Sequence, residues 1–215
     1  MRICYIILTC EKYIHTRREW QLQTMFKNFP KEDIYYLGHT MDPNNRIFSW
    51  GAYDTYDHLP YKFLLFFTHI KLDYDWYVFI DDDTYVFHDR LESMLQHKSC
   101  HASICIGKQL IHLMNQPWGY YMSGGAGTVL SRNLYMQLHA FMNEIPNPMG
   151  LIFHWCADIC LGLWVRLICN VEYINHLNFH CENHKIDESL QHSLSSAITF
   201  HHLREKEEYM FYHSL

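Results

Sequence analysis

Short runs of apolar, β-branched and aromatic residues alternate along this chain with segments whose apolar positions return every three or four residues. The first pattern marks strands and the second marks helices. Ile3 to Thr9 is a run of the first kind. It is too short to span a bilayer and lacks a small-residue cleavage site, so it reads as a core strand. Arg17 to Asn28 carries Trp20, Leu22, Met25 and Phe26 at helical spacing, with Phe29 continuing the stripe and Pro30 ending it. Asp33 to Leu37 reads as a second strand. Met41 to Tyr56 follows neither period, and Asp42-Pro43-Asn44-Asn45 within it is a turn. Pro60 sits in the first turn of a helix running to about Leu72, and Trp76 to Ile80 is a further apolar run.

Strand, helix, strand, helix, strand in that order predicts an α/β fold: a mainly parallel sheet with right-handed crossovers, the layout of a nucleotide-binding half-domain. Beyond it, Asp89 to Gln96 has helical spacing and Ala102 to Ile106 reads as a strand. Gln116-Pro117-Trp118-Gly119 marks a loop, and Gly124-Gly125-Ala126-Gly127 interrupts an apolar stretch. Ser131 caps a helix towards Phe141, Pro146 and Pro148 mark another loop, and Cys156 to Leu167 forms a helix. Val171 to Ile174 and Ala197 to His202 read as short strands, and Arg204 to Tyr212 as a surface helix. No repeat and no low-complexity segment is present.

The strand Trp76 to Ile80 runs straight into Asp81, Asp82 and Asp83. Such triplets are often solvated turns. Here the flanking strand places the carboxylates at its carboxyl end, the edge where open α/β sheets bind ligands. Three adjacent carboxylates repel one another and resist desolvation, and a hard divalent cation such as Mg²⁺ or Mn²⁺ removes that cost. A metal site is therefore the preferred reading.

Composition narrows the class. A chain of 215 residues with 49% hydrophobic content suits one compact domain or two tightly joined halves, and excludes disorder. The net charge of −6 and the lack of a basic stripe argue against nucleic acid as partner. The eight cysteines are spread through apparently buried, regular segments. Cys156 and Cys160 lie four apart on a helix, neighbours on one face but poorly placed for a relaxed disulfide. Packed, reduced thiols and a cytoplasmic setting are the expectation.

Three further segments carry chemistry. Tyr121 to Thr128 holds the glycines Gly124, Gly125 and Gly127, which let backbone approach a ligand closely but also mark ordinary bends; it does not match the Walker phosphate loop. Asp158 opens a helix, where it is either a general base or a plain capping carboxylate. In Ala197 to His202 an extended backbone sends His201 and His202 to opposite faces, so one can reach a metal while the other faces solvent or core. A rival cluster, His176, His180, Cys181 and His184, offers zinc-type ligands at short spacing but lacks a Cys-x-x-Cys pair. Trp118, Tyr120 and Tyr121 offer apolar faces with polar edges, which either stack on the rings of a ligand or pack under the glycine turn.

Taken together and in this order, these segments resemble the fringe and core 1 β1,3-galactosyltransferase (T-synthase) group of glycosyltransferase family 31. The resemblance rests on Asp75 to Val86, Gly119 to Ser131, Ala157 to Gly162 and Thr199 to His201, with Leu8-Thr9 and Thr16-Arg17 similar to the family's opening motif. It covers residues 3 to about 203 and is weakest over 38–58 and 170–196.

The resemblance implies a GT-A fold, with a Rossmann-like, mainly parallel central sheet flanked by helices and a small antiparallel portion near the active site. It implies a single catalytic domain over 1–215, residues 1–100 binding the nucleotide sugar and 101–215 the acceptor. The donor is a UDP-sugar, the cofactor Mn²⁺ or Mg²⁺, and the acceptor a glycan or glycoprotein. Asp83 is implied as the direct metal ligand with His201, and Asp81 and Asp82 lie nearer to ribose, sugar or the surroundings of the metal. Asp81 is included among the candidate metal ligands. Thr9, Arg17, Lys62, Gly124 and Gly125 are candidates for donor binding; a surface salt bridge is the competing role for Arg17. Asp158 is the implied base of an inverting transfer, and Ala157 stands where relatives carry a second acid. Readings from other classes are a carbohydrate-binding protein with a decayed site, or a metal-dependent phosphohydrolase. The latter needs further clustered carboxylates for two metals, and intact Asp83, Asp158 and His201 favour a transferase over a decayed site.

Overall fold

The protein's structure, a computed structural model, is described over residues 1–49, 54–111, 119–168, 170–185 and 187–215. Its elements run β1 (Ile3–Leu8), α1 (Glu11–Ile14), α2 (Arg17–Gln23), β2 (Ile34–Leu37), β3 (Ile47–Phe48), α3 (Leu59–His69), β4 (Trp76–Asp81), β5 (Tyr85–Val86) and α4 (His88–Leu95). The second half adds β6 (Ile104–Gly107), β7 (Gln109–Ile111), β8 (Tyr120–Met122), β9 (Thr128–Ser131), α5 (Arg132–Glu144), α6 (Ala157–Leu167), β10 (Glu172–Asn175), β11 (Phe179–His180), β12 (Thr199–Phe200) and α7 (Lys206–His213).

Seven strands form one sheet in the order β10-β6-β9-β4-β1-β2-β3. All run parallel except β9, which is antiparallel to both its neighbours. Successive residues of β1 explain the layering. Cys4, Ile6 and Leu8 enter a core with Phe63, Phe67, Tyr135 and Trp164 from α3, α5 and α6. Ile3, Tyr5 and Ile7 enter the other core, with Phe26, Leu91 and Leu95. A strand buried on both faces has no polar alternation, which is why these strands read as continuous apolar runs. A small mixed sheet, β11-β12-β5, stands beside the main one, with β12 antiparallel to β5, and β7-β8 forms a separate antiparallel pair.

Several elements differ from the sequence pattern. The helix expected over Arg17 to Asn28 ends at Gln23, because Thr24 leaves helical geometry and its hydroxyl donates to the carbonyl of Trp20 at 2.6 Å. The helix from Pro60 ends at His69 rather than Leu72, and the freed carbonyl of Ile70 accepts from the Tyr135 hydroxyl at 2.7 Å. Strand β9, unmarked by the sequence, lies inside the sheet between β6 and β4, immediately after the glycine turn. The expected surface helix at the carboxyl terminus is half interior: Tyr209 and Tyr212 of α7 are buried against Tyr85, Phe200 and Leu203. The loop expected at Gln116-Pro117-Trp118 lies outside the described residues.

Candidate active site

Leu8 of β1 pairs with Asp81 of β4, so the two strands end side by side. From β1 the chain moves to β2 on one side and later returns as β4 on the other. That reversal opens a crevice at the carboxyl edge, the general ligand position of such sheets. Thr9 and the three aspartates lie in it. The Thr9 hydroxyl donates to Oδ2 of Asp82 at 2.7 Å, and the Asp82 amide donates to the carbonyl of Leu8 at 2.9 Å. Arg17, on the first turn of α2, donates to Oδ1 of Asp82 at 2.8 Å and stands 3.4 Å from Asp83. Its guanidinium lies 3.8 Å over the ring of Tyr13, which fixes the fork in place. Lys62 lies behind this floor. It is buried, with its ammonium donating to the carbonyl of Thr9 at 2.7 Å and to Asp54 at 2.9 Å, so it supports Thr9 from within.

His201 arrives from the end of β12. Its Nδ1 pairs with the carbonyl of Cys181 at 3.0 Å, which requires the proton on Nδ1 and turns Nε2 towards the aspartates. Nε2 is 3.1 Å from Asp83 and 3.7 Å from Asp81. His202 follows in a left-handed conformation, φ +63°. That residue breaks the extended geometry under which the two side chains would diverge. Instead the rings stack at 3.8 Å, and the expectation of opposite faces is corrected. Among the described residues, Asp83, His201 and His202 together offer three metal-ligating atoms within 4.8 Å of one another. The rival zinc cluster does not assemble among them: His184 pairs with the Tyr212 hydroxyl at 2.6 Å, His180 stacks on Phe200, and the Cys181 carbonyl holds His201.

The glycine turn lies between this group and Asp158. A side-chain carbon on Gly125 would come within 2.6 Å of Nε2 of His201 and nearer still to Cε1 and Nδ1. A side-chain carbon on Gly124 would stand 3.1 Å from Cβ of Asp158, whose Oδ2 accepts from the Gly124 amide at 3.2 Å. The turn is held by Thr84, donating to the carbonyl of Gly125 at 2.7 Å, and by Thr199, donating to that of Ala126 at 2.5 Å. Gly127 has φ +96°, a conformation that favours glycine. Asp158 lies in the first turn of α6. Its Oδ1 accepts from the Ile159 amide at 2.8 Å and from the Cys156 thiol at 2.9 Å.

Electrostatics set the character of the floor. Asp81 keeps 34% of its side chain open to the crevice, yet the deep concave setting raises its carboxyl to about 7. Desolvation dominates, His201 opposes it, and Asp83, Asp82 and Asp158 add to it. Burial likewise raises Asp82, to about 6, against the hydrogen bond from Thr9 and the charge of Arg17. Burial also acts to raise Asp83, but the hydrogen bond and charge of His201, with Arg17, outweigh it and hold that carboxyl below its ordinary value. Burial and the neighbouring Asp158 push the Cys156 thiol well up, so it remains an S–H donor. A carboxylate held near neutrality by desolvation, an ionised one beside it and an imidazole with Nε2 directed at both form an oxygen-and-nitrogen donor set that fits a divalent cation.

The crevice encloses about 410 Å³ and is lined by Thr9, Tyr13, Arg17, Asp54, Tyr56 and the aspartate-histidine group. A hollow of about 630 Å³ elsewhere is lined by Met1, Arg2 and Ile3 at the opposite, amino end of β1, away from these carboxylates. Several contributors escaped sequence reading. Tyr209 of α7 donates to the Asp82 carbonyl at 2.6 Å, and its signal was the Tyr209/Tyr212 spacing on one helix face. Cys156 and the exposed pair Tyr56 and Trp155, with rings 5.4 Å apart, carried no spacing signal. Tyr121 packs its Cβ against Gly162 of α6, with Asp158, Cys156 and Cys181 acting on its hydroxyl, and Tyr120 meets Tyr173 edge-on; Trp118 is outside the described residues.

This combination of fold and crevice defines a class. Solved structures with the same fold are GT-A glycosyltransferases. They include the bifunctional glycosyltransferase WbbM (TM-score 0.56, 12% identity, covering 99% of this chain and 50% of that one). GlyE of Streptococcus pneumoniae has a TM-score of 0.57 at 9% identity, covering 100% of this chain and 61% of that one. LgtC, a galactosyltransferase solved with donor and acceptor sugar analogues, has 0.54 at 10%, covering 100% and 95%. A family model described as Fringe-like matches residues 2–211, and the chain belongs to that family. Among curated proteins, it is 30% identical over 95 residues to human chondroitin sulfate glucuronyltransferase, covering 44% of this chain and 11% of that protein. It is also 30% identical over 125 residues to glycoprotein-N-acetylgalactosamine 3-beta-galactosyltransferase 1 of Xenopus laevis, covering 56% and 32%. The chain thus spans at most about a third of these curated relatives. No described helix is long and apolar enough to cross a membrane.

Proposed function

We propose that this domain transfers a sugar from a UDP-sugar to a hydroxyl of a glycan or glycoprotein acceptor, with inversion at the anomeric carbon and with a divalent cation, Mn²⁺ or Mg²⁺. The observation that carries the reading is the crevice itself. Asp81, Asp82, Asp83 and His201 line it, and Asp158 stands across the Gly124-Gly125 turn from His201. The family and the relatives' names support the glycosyl-transfer class.

Asp83 and His201 would hold the cation, with Asp81 beside them. When bound, the cation neutralises charge that develops on the departing diphosphate. Arg17 is committed to Asp82 and Asp83, and Thr9 to Asp82, so these residues orient the carboxylates that face the donor. Asp158 accepts the proton of the acceptor hydroxyl. The hydroxyl oxygen bonds to the anomeric carbon from the face opposite the diphosphate, the bond to the diphosphate oxygen breaks, and the configuration inverts. The Gly124 and Ile159 amides and the Cys156 thiol aim the base.

The test is a screen of nucleotide sugars for Mn²⁺-dependent donor hydrolysis, paired with calorimetry of UDP. Hydrolysis of one UDP-sugar and loss of UDP affinity in EDTA are expected. Undiminished affinity in EDTA would remove the cation from the proposal, and no turnover of any donor would leave the transfer reading without support.

A further inference from the structure

The left-handed turn at His202 changes the ligand count at the proposed cation site. Most non-glycine residues avoid this backbone conformation, and where it persists the surroundings hold it. Here the peptide that follows His202 is tied down at both its carbonyl and its amide. The Leu203 amide donates to the carbonyl of Asp83 at 2.9 Å, and the His202 carbonyl accepts from Asn183 at 2.8 Å. The consequence is that His202 is folded back onto His201, ring on ring at 3.8 Å, at the wall of the crevice instead of the far face of the strand. Its ligating nitrogen falls within 4.8 Å of those of Asp83 and His201. Among the described residues, one ion pair competes for the imidazole: Glu182, 3.8 Å away, with both side chains more than a third exposed. A solvated pair at that separation is weak and does not account for the turn.

We propose that His202 is a second imidazole ligand, so that one carboxylate and two imidazoles, from Asp83, His201 and His202, hold the cation. This deepens the metal-dependent reading above and rests on it. A donor set of two nitrogens and one oxygen carries a chemical preference. Imidazole suits later first-row ions such as Co²⁺ and Zn²⁺, and Mn²⁺ accepts it more readily than Mg²⁺, which prefers carboxylate, phosphate and water oxygen and keeps its own hydration. A site built from aspartates and one histidine separates these ions weakly; a second histidine separates them strongly. The site therefore selects a transition metal over Mg²⁺, and His202 is the residue that sets the selection.

Cation binding to the whole chain, without donor, provides the test. Electron spin-echo measurements on the Mn²⁺ complex count coordinated nitrogens, and calorimetry compares Mn²⁺, Co²⁺ and Mg²⁺. The informative variant is His202→Asn, since asparagine tolerates the left-handed backbone and lacks the imidazole. The unaltered protein should show two nitrogen couplings and the variant one. Affinity for Co²⁺ and Mn²⁺ should fall by about 10-fold or more, the scale seen when metal-site support is removed. Affinity for Mg²⁺ should change much less. A thermal melt confirms that the variant is folded, and the nitrogen count of the unaltered protein needs no variant. One nitrogen coupling in the unaltered protein, or affinities unchanged in the variant, would overturn the role of His202 while leaving metal dependence standing. An unaltered protein that binds no divalent cation would overturn both.

Discussion

The imidazole of His201 occupies the space that a side chain on Gly125 would need: a carbon there would come within 2.6 Å of Nε2. The glycine turn is thus a spacer whose thickness sets where the histidine can stand. Its carbonyls are fixed by Thr84 and Thr199, so it cannot retreat. Gly125→Ala should displace His201 from Asp83 and weaken Mn²⁺ binding by at least about 10-fold. The accompanying loss of stability should be about 1–3 kcal/mol, the usual result of overpacking. Calorimetry and a thermal melt measure the two effects. Normal Mn²⁺ affinity in the alanine variant would show that His201 does not serve the cation.

The charges on the floor predict how pH and cation act together. Asp81 and Asp82 have carboxyls raised to about 7 and about 6, so the fold favours their protonated forms. Their stabilising contribution is complete below the unfolded-state value of about 3.9 and is lost as pH rises through 6 and 7. His201 is also raised: burial opposes the shift, but Asp83 and Asp81 outweigh it, so its contribution is likewise lost on the alkaline side. The melting temperature of the metal-free protein should therefore drop between pH 6 and pH 8, and Asp81→Asn should flatten that drop. Added Mn²⁺ replaces protons on these groups, so its stabilisation should be larger at pH 8 than at pH 6. An Mn²⁺ shift that is equal at both pH values would count against this group as the cation site.

Much of this arrangement was legible because local signals and tertiary roles agree. Trp76 to Ile80 is apolar throughout, since β4 is buried on both faces, and the aspartates that end it stand where the sheet opens. Asp158 was legible as a helix-start acid because α6 begins at Ala157. What failed to read depended on distant partners. The helix expected to reach Asn28 ends at Gln23, as the Thr24 hydroxyl turns back onto Trp20. Strand β9 has four residues and follows a glycine turn, so nothing local separates it from the loop. His202 carries no warning in its neighbours; its left-handed backbone follows from the carbonyl of Asp83 and the amide of Asn183. Sequence periodicity speaks of faces, and a single residue with positive φ reverses a face.

The cysteines bear on the compartment, for which a cytoplasmic setting is the proposal. Seven of them, Cys4, Cys10, Cys100, Cys105, Cys156, Cys160 and Cys181, are unpaired in the structure, and Cys169 lies outside the described residues. Cys105 is fully buried, and burial alone pushes its thiol up to about 12. Such a thiol is inert until the chain unfolds. Titration of the native, unreduced protein should therefore find fewer reactive thiols than titration after denaturation, which should reveal most of the eight. Three or four disulfides in the denatured, unreduced chain would point to a secretory compartment instead.

Asp158 provides the sharpest division between binding and chemistry. Its two carboxylate oxygens are held separately, Oδ2 by the Gly124 amide and Oδ1 by the Ile159 amide and the Cys156 thiol. These donors fix the orientation of the carboxylate in the first turn of α6. Asp158→Asn keeps the size and leaves an acceptor oxygen for part of that network, but it cannot take a proton. Transfer to acceptor should fall by roughly 10²–10⁴-fold, the range of general base catalysis. Donor affinity should stay within a few-fold, because Thr9, Arg17 and the β4 aspartates do not depend on Asp158 for their hydrogen bonds. The two quantities have to be measured on the same preparation, transfer by product formation and donor affinity by calorimetry. A parallel fall in both would mean that Asp158 shapes the donor site rather than the chemical step. Near-normal transfer, or a product with retained anomeric configuration, would remove it from the role of base.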